Sequence, residues 1–287
     1  MVKAEIVYFT DPFCSWCWAS EPALFALRER YRDQLTIRYV MGGLVKDIAE
    51  FFDAANGIRA TAEVAPHWRM VSERSGQPID ERLMLDITDP HFSTWPANVA
   101  VKAAALQGAR VGERYLRRLR RAALTERTQV QREDAQVALA REVAGLDVEA
   151  FRAELSGPRA LAAFHEDLDT CRAFGASGFP SMLLQPAGAD TDPRARPILV
   201  NGYRPLQTLE RALASIVPGL VRHEARPVGK LLAEYGPLTE AELSAITSLM
   251  PPGLASSLQE TAARGRVARK DLRGGALWQA LDPAPAR

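Results

Sequence analysis

Cysteine is scarce, with three in 287 residues, and two of them stand in Cys14-Ser15-Trp16-Cys17. That count is too low for a disulfide framework. There is no second CxxC, and the four histidines, His67, His91, His165 and His223, are scattered, so the four ligands that structural zinc takes are missing from the pattern. No metal and no cofactor is expected. A surplus of either charge is lacking too: 36 Lys+Arg stand against 35 Asp+Glu for a net charge of +1, which leaves no overall field to draw nucleic acid or an anionic membrane. No apolar run approaches the ~20 residues of a membrane span. The N-terminal Met1-Val2-Lys3-Ala4-Glu5-Ile6 enters a strand pattern without the basic and apolar regions of a secretory leader. Together these absences predict a cytoplasmic protein in a reducing compartment that contacts neither nucleic acid nor membrane.

What is present is an ordinary globular balance, 47% hydrophobic and 25% charged, over a length that predicts two domains or one domain with a large insertion. The stretch that organises the rest is Phe13-Cys14-Ser15-Trp16-Cys17-Trp18, directly after the apolar run Ile6-Val7-Tyr8-Phe9. A CxxC at a strand-to-helix junction points to redox chemistry. Two intervening residues in a first helical turn bring the sulfurs within bonding reach, and the outer thiol lies at the positive end of the helix dipole. An ordinary thiol near pKa ~8.5 is mostly protonated in a cytosol, whereas helix N-termini in CxxC motifs lower it to ~3.5–7.5. Cys14 is therefore expected to be the low-pKa nucleophile and Cys17 the resolving thiol.

Along the chain, Ala4 to Phe9 reads as a first strand, broken by Thr10-Asp11-Pro12. A helix follows from Cys14 to about Tyr31, with Pro22 inside it, and Leu35 to Met41 reads as a half-buried strand ended by Gly42-Gly43. From about Leu44 to Glu166 the patterns are helical. The clearest are Ala97 to Gln107, Val111 to Leu124, Glu133 to Val143, a short helix capped by Asp147, and one opened by Pro158 that runs to Phe174. The run Arg114-Tyr115-Leu116-Arg117-Arg118-Leu119-Arg120-Arg121 invites a nucleic-acid reading. Its leucines and tyrosine at helical spacing predict instead an amphipathic helix with a solvated basic face. The loop Asp89 to Pro96 could roof a site or pack as core, and Cys171 reads as a small buried hydrophobe. Strands return at Ser181 to Leu184 and Pro197 to Asn201, predicting an antiparallel hairpin, and a helix runs from about Leu206 to Val217. Beyond Pro218 the composition suggests a linker with few obligatory contacts. A helix capped by Thr239, another to about Ala263 and a basic segment Arg264 to Lys270 follow.

This order of elements resembles the thioredoxin fold of the DsbA family, in which a helical domain is inserted into the thioredoxin frame, and more narrowly the cytoplasmic DsbA-like group labelled FrnE-like. The residues that carry the resemblance are Asp11 to Trp18, Tyr39-Val40-Met41-Gly42-Gly43-Leu44, Gly178-Phe179-Pro180-Ser181 and Gly202-Tyr203. It implies an α/β fold with a thioredoxin-like domain of residues 1–45 and 166–217, an inserted helical domain of 46–165, and a small, mainly helical C-terminal appendage of 218–287. It also implies that Pro180 is a cis-proline beside the CxxC, with Phe179 offering backbone groups to an extended substrate. Ser15 and Trp16, between the cysteines, are expected to touch that substrate, with Trp16 exposed. Tyr8 stands near the position of the buried acid of thioredoxins, so the proton acceptor for Cys17 is open, with Glu21 one candidate.

The first functional reading is a thiol-disulfide oxidoreductase, a reductase or isomerase of protein or peptide disulfides, restored by a cellular thiol reductant such as glutathione or a thioredoxin system. The alternative is an adaptor that delivers a client protein to an ATP-dependent protease. A small-molecule isomerase or glutathione-dependent transferase of the kappa type is a further alternative, against which the intact CxxC argues.

Overall fold

The computed structural model describes residues 1–54, 56–188 and 194–281. β1 (Ala4–Thr10) turns into α1 (Ser15–Tyr31), and a short 3-10 turn leads to β2 (Leu35–Met41). Helices follow: α2 (Thr61–Ser75), α3 (Leu83–Asp86), α4 (Trp95–Ala105), α5 (Ala109–Glu126), α6 (Glu133–Ala140), α7 (Val148–Leu155) and α8 (Pro158–Ala173). Then come β3 (Ser181–Pro186), β4 (Ile198–Asn201) and α9 (Leu206–Ile216). The chain closes with α10 (Val228–Tyr235), β5 (Leu238–Thr239), α11 (Glu240–Thr247), α12 (Pro251–Ala263), β6 (Val267–Leu272) and β7 (Gly275–Ala280).

β1 is central because Ile6, Val7, Tyr8 and Phe9 are all buried, which a strand achieves only when both faces are covered. It pairs in parallel with β2 and antiparallel with β3, and β3 pairs antiparallel with β4, giving the order β2-β1-β3-β4. Alternation assigns the faces. Ile6, Tyr8, Met182 and Leu184 meet α1 and Leu209 and Leu213 of α9. Val7, Phe9, Val40 and Leu183 meet Cys171 of α8 on the other face. The helices between β2 and β3 enclose a separate core around Tyr115, Leu119, Phe151 and Phe164, into which Phe13 and Trp18 project. This is the thioredoxin-like α/β fold with a large helical insertion.

Two expectations need correction. The solvated basic face of α5 is not what the fold builds: Arg120 is fully buried, and Arg117, Arg118 and Arg121 are largely so. The chain beyond Val217 is not loosely tethered either. It ends in a three-stranded sheet of order β5-β7-β6, and Leu231, Leu243, Ile246, Leu258 and Trp278 form one core with Phe25 of α1. Buried polar groups reinforce that seam. Glu242 accepts from Arg117 and from Gln77, Thr239 donates to Gln77, Arg226 forks onto Glu29 of α1, and Arg30 of α1 donates to Ser248.

Candidate active site at the start of the first helix

Cys14 is the N-cap of α1. Its backbone is extended, and its Sγ accepts from the Cys17 amide at 3.2 Å, one of the donors that a helix start leaves free. The turn before it is held by Asp11. Its Oδ1 accepts from the Phe13 amide at 2.8 Å, and its Oδ2 from the Leu44 amide (2.8 Å), Thr94 Oγ1 (2.8 Å) and Asn98 Nδ2 (2.7 Å). One buried carboxylate thus joins the CxxC turn, the loop after β2 and the start of α4. Burial pushes its pKa up, against these donors.

The peptide bond Phe179–Pro180 is cis, and the Cys14 thiol donates to the Phe179 carbonyl at 3.5 Å. Cys14, Ser15, Trp16 and Phe179 line one cavity of about 760 Å³. Gly42 matches this arrangement: a Cβ there would stand 1.9 Å from the Phe179 ring, so the ring lies where a side chain would have been. Trp16 is half-buried between His67 and Tyr203, with ring centroids 6.3 and 5.3 Å away, rather than exposed. Phe92 and Thr94 of the Asp89 to Pro96 loop line the cavity, and Phe92 also packs edge-on against Phe13. Cys171 reaches the same cavity, but burial pushes its thiol up to about 11, so it stays protonated.

The sulfurs are not at the surface. Cys14 is 5% exposed and Cys17 fully buried, and the two titrate together. Burial opposes charge on both. For Cys17 the hydrogen bond with Cys14, the Arg120 guanidinium and the Thr10 hydroxyl outweigh burial and bring the thiol below its ordinary value, while burial and the neighbouring Cys17 hold Cys14 well above it. The low-pKa character expected of Cys14 therefore falls on Cys17 in this arrangement, and burial is what holds Cys14 up.

Behind Cys17 lies a polar group that sequence reasoning missed. Arg120 is ion-paired with Glu21 and donates to Thr10 Oγ1 at 2.6 Å, and Tyr8 donates its hydroxyl to the Cys17 carbonyl at 3.0 Å. Burial holds Tyr8 well above the ordinary phenol value, so it remains neutral. Glu21 is occupied by Arg120 and Arg117, which places it as the counter-ion of the arginines. Nothing in the local sequence marks Arg120, one of five arginines between 114 and 121.

Comparison with known proteins agrees with this architecture. The chain is similar to the protein named ClpXP adapter protein SpxH of Halalkalibacterium halodurans, 27% identical over 281 residues that cover 97% of this chain and 89% of the relative. The protein of the same name from Shouchella clausii is 28% identical over 279 residues, 96% of this chain and 88% of its own. Among solved structures, the cytosolic disulfide reductase DsbM of Pseudomonas aeruginosa superposes with a TM-score of 0.51 at 24% identity, over 69% of this chain and 89% of its own. A candidate protein disulfide isomerase of Nitrosomonas europaea reaches 0.59 at 24% identity, over 74% and 97%. At these identities the solved structures bear on the fold alone, and that fold is DsbA-like. The family model described as thioredoxin matches residues 8–211, and the chain belongs to that family.

Proposed function

We propose that this protein is a cytoplasmic adaptor that holds a client protein and delivers it to an ATP-dependent protease of the ClpXP type. The observation that carries this reading is the reach of the likeness. Four relatives named for that task align over 96–97% of the chain, the segment beyond Val217 included, and four more over 66%, whereas the disulfide reductase covers 69%. The reading drawn first from the sequence, thiol-disulfide exchange, becomes the second.

The second reading is supported by the geometry around Cys14. In it the Cys14 thiolate attacks a sulfur of a client disulfide, forming a mixed disulfide and releasing one client thiol. Cys17 then attacks the Cys14 sulfur, the second client thiol leaves, and the protein retains a Cys14–Cys17 disulfide. Two electrons pass to the client, and a cellular thiol reductant returns them. Phe179 and Pro180 would form the edge along which the client backbone lies, with Ser15 and Trp16 beside it.

The two readings separate experimentally. A client is a protein whose half-life lengthens both when this gene is deleted and when ClpX is inactivated, and purified ClpXP should degrade it faster when this protein is added. Absence of any protein stabilised in both strains removes the adaptor reading. Insulin reduction with multiple turnovers, lost in Cys14→Ser, would establish the second.

A further inference from the structure

A second cavity, of about 1220 Å³, shares no lining residue with the first. Its floor is the outer side of α5. Arg110, Arg114, Arg117, Arg118 and Arg121 all line it. Their spacing of i, i+4, i+7, i+8 and i+11 makes one continuous stripe, ~16 Å long at the helical rise. The other walls include Arg28 of α1, Ile37 and Tyr39 of β2 and Tyr235 to Pro237 at the end of α10, with the carboxylates of Glu21, Asp33, Glu113, Glu142 and Glu234 set among them.

The stripe is short of acceptors. Arg117 is held by Glu242 and Glu21, and Arg118 by Glu126 and Glu142. Arg121 has Glu126 at 3.4 Å, and Lys270 draws on that same carboxylate at 3.7 Å. Arg110 and Arg114, both exposed, meet no carboxylate among the described residues. Among the described residues Arg117 Nε and Arg118 Nη1 have no hydrogen-bond partner, and Arg121 Nε has only the long Glu126 contact. Burial and the neighbouring Arg118 and Arg117 push Arg121 down to about 10, as expected where like charges are incompletely neutralised.

We propose that this groove binds an extended acidic segment of a partner protein, its carboxylates on the α5 arginines and its backbone along β2. β2 is an edge strand, and although its Met41 amide is taken by Asp167, the part of the edge at Ile37 and Tyr39 can receive an added strand. Half-buried Ile37 and Tyr39 offer apolar contact between the charges. A nucleic-acid backbone fits less well, because Glu21, Asp33, Glu113, Glu142 and Glu234 interrupt the wall and oppose a continuous row of phosphates, whereas a segment with carboxylates at alternate residues can set them against the arginines alone. The inference goes beyond both readings above, since binding here needs neither a reactive thiol nor a protease.

The test is fluorescence anisotropy on the full chain with a labelled short peptide of alternating Glu and Val, its Gln-Val counterpart, and a single-stranded DNA of equal length. The Glu-Val peptide should bind saturably and more weakly as salt rises, and the Gln-Val peptide should bind at least about tenfold less tightly. The double substitution Arg110→Gln/Arg114→Gln, at exposed positions, should weaken the Glu-Val peptide about tenfold, and Cys14→Ser should leave it unchanged. No saturable binding, equal affinity in the double variant, or tighter binding of the DNA would each overturn the proposal.

Discussion

Asp11 shows how much of the site rests on one side chain outside the CxxC. Four donors converge on its carboxylate, and Asp11→Ala would leave the Phe13 and Leu44 amides without that acceptor, while Asn98 and Thr94 keep only the Thr94 and Val45 carbonyls. The expected loss is about 3 kcal/mol or more, read as a lower urea midpoint at unchanged slope. Because burial raises its pKa in the folded state, this carboxyl's contribution is full below pH 3.8 and declines as the pH rises through the folded value. The cysteines make a second prediction. Cys17→Ser should accumulate mixed disulfides on Cys14, since attack proceeds and resolution cannot, while Cys14→Ser should accumulate none. Non-reducing gels decide it, and equal adducts in both variants would reject the assignment of roles. Arg120 gives a third. In Glu21→Gln/Arg120→Met the buried pair is removed together, so no lone charge remains. The first thiol deprotonation, followed by ultraviolet absorbance of the thiolate, should then move to higher pH because the Arg120 field is gone.

At the scale of elements, legibility in the sequence follows the distance over which each feature is determined. The N-cap of α1 needs only Cys14 to Cys17, and the caps of α7 and α11 need only Asp147 with its next turn and Thr239 with Glu242. All three are readable by eye. The hydrophobic period of α5 is equally local, and it placed the helix correctly. The fate of its arginines is not local, because their partners Glu21 and Glu242 lie 96 and 125 residues away in the chain, and no pattern within α5 says that those carboxylates will arrive. α2 was obscured by Pro66 within it and by Ala60 at the N-cap, which offers no capping oxygen. β6 was obscured because its inward positions are few: only Val267 is buried, and Arg269, Lys270 and Asp271 are exposed. Composition therefore read as a basic segment what backbone pairing with β7 makes a strand.

At the scale of the molecule, the last quarter of the chain is joined to the helix that carries the cysteines, and two measurements follow. Arg273, in the turn between β6 and β7, binds Glu81 of the helical region and holds its carboxyl at about 2, down from 4.5. That lowered value means the contact stabilises fully above pH 4.5 and is lost as the pH falls toward about 2. Arg273→Ala should flatten the acid limb of the stability profile over that window. The stronger test is truncation after Val217. Linker-like composition predicts a fragment that keeps its fold, and the contacts predict the opposite. Removal takes Arg226 from Glu29, whose side chain is fully buried, takes Glu242 from Arg117, and uncovers Phe25. Breaking one buried ion pair costs ~3–5 kcal/mol, and a domain holds only ~5–15 kcal/mol in all. One such loss on α1 and one on α5, even reduced by the water that reaches Glu29 and Arg117 once the tail is gone, draw on that reserve together with the apolar area uncovered around Phe25. Residues 1–217 alone should therefore show a broad, non-cooperative urea transition and weakened near-ultraviolet circular dichroism. A sharp transition at the midpoint of the full chain would show that the frame holds α1 without the tail.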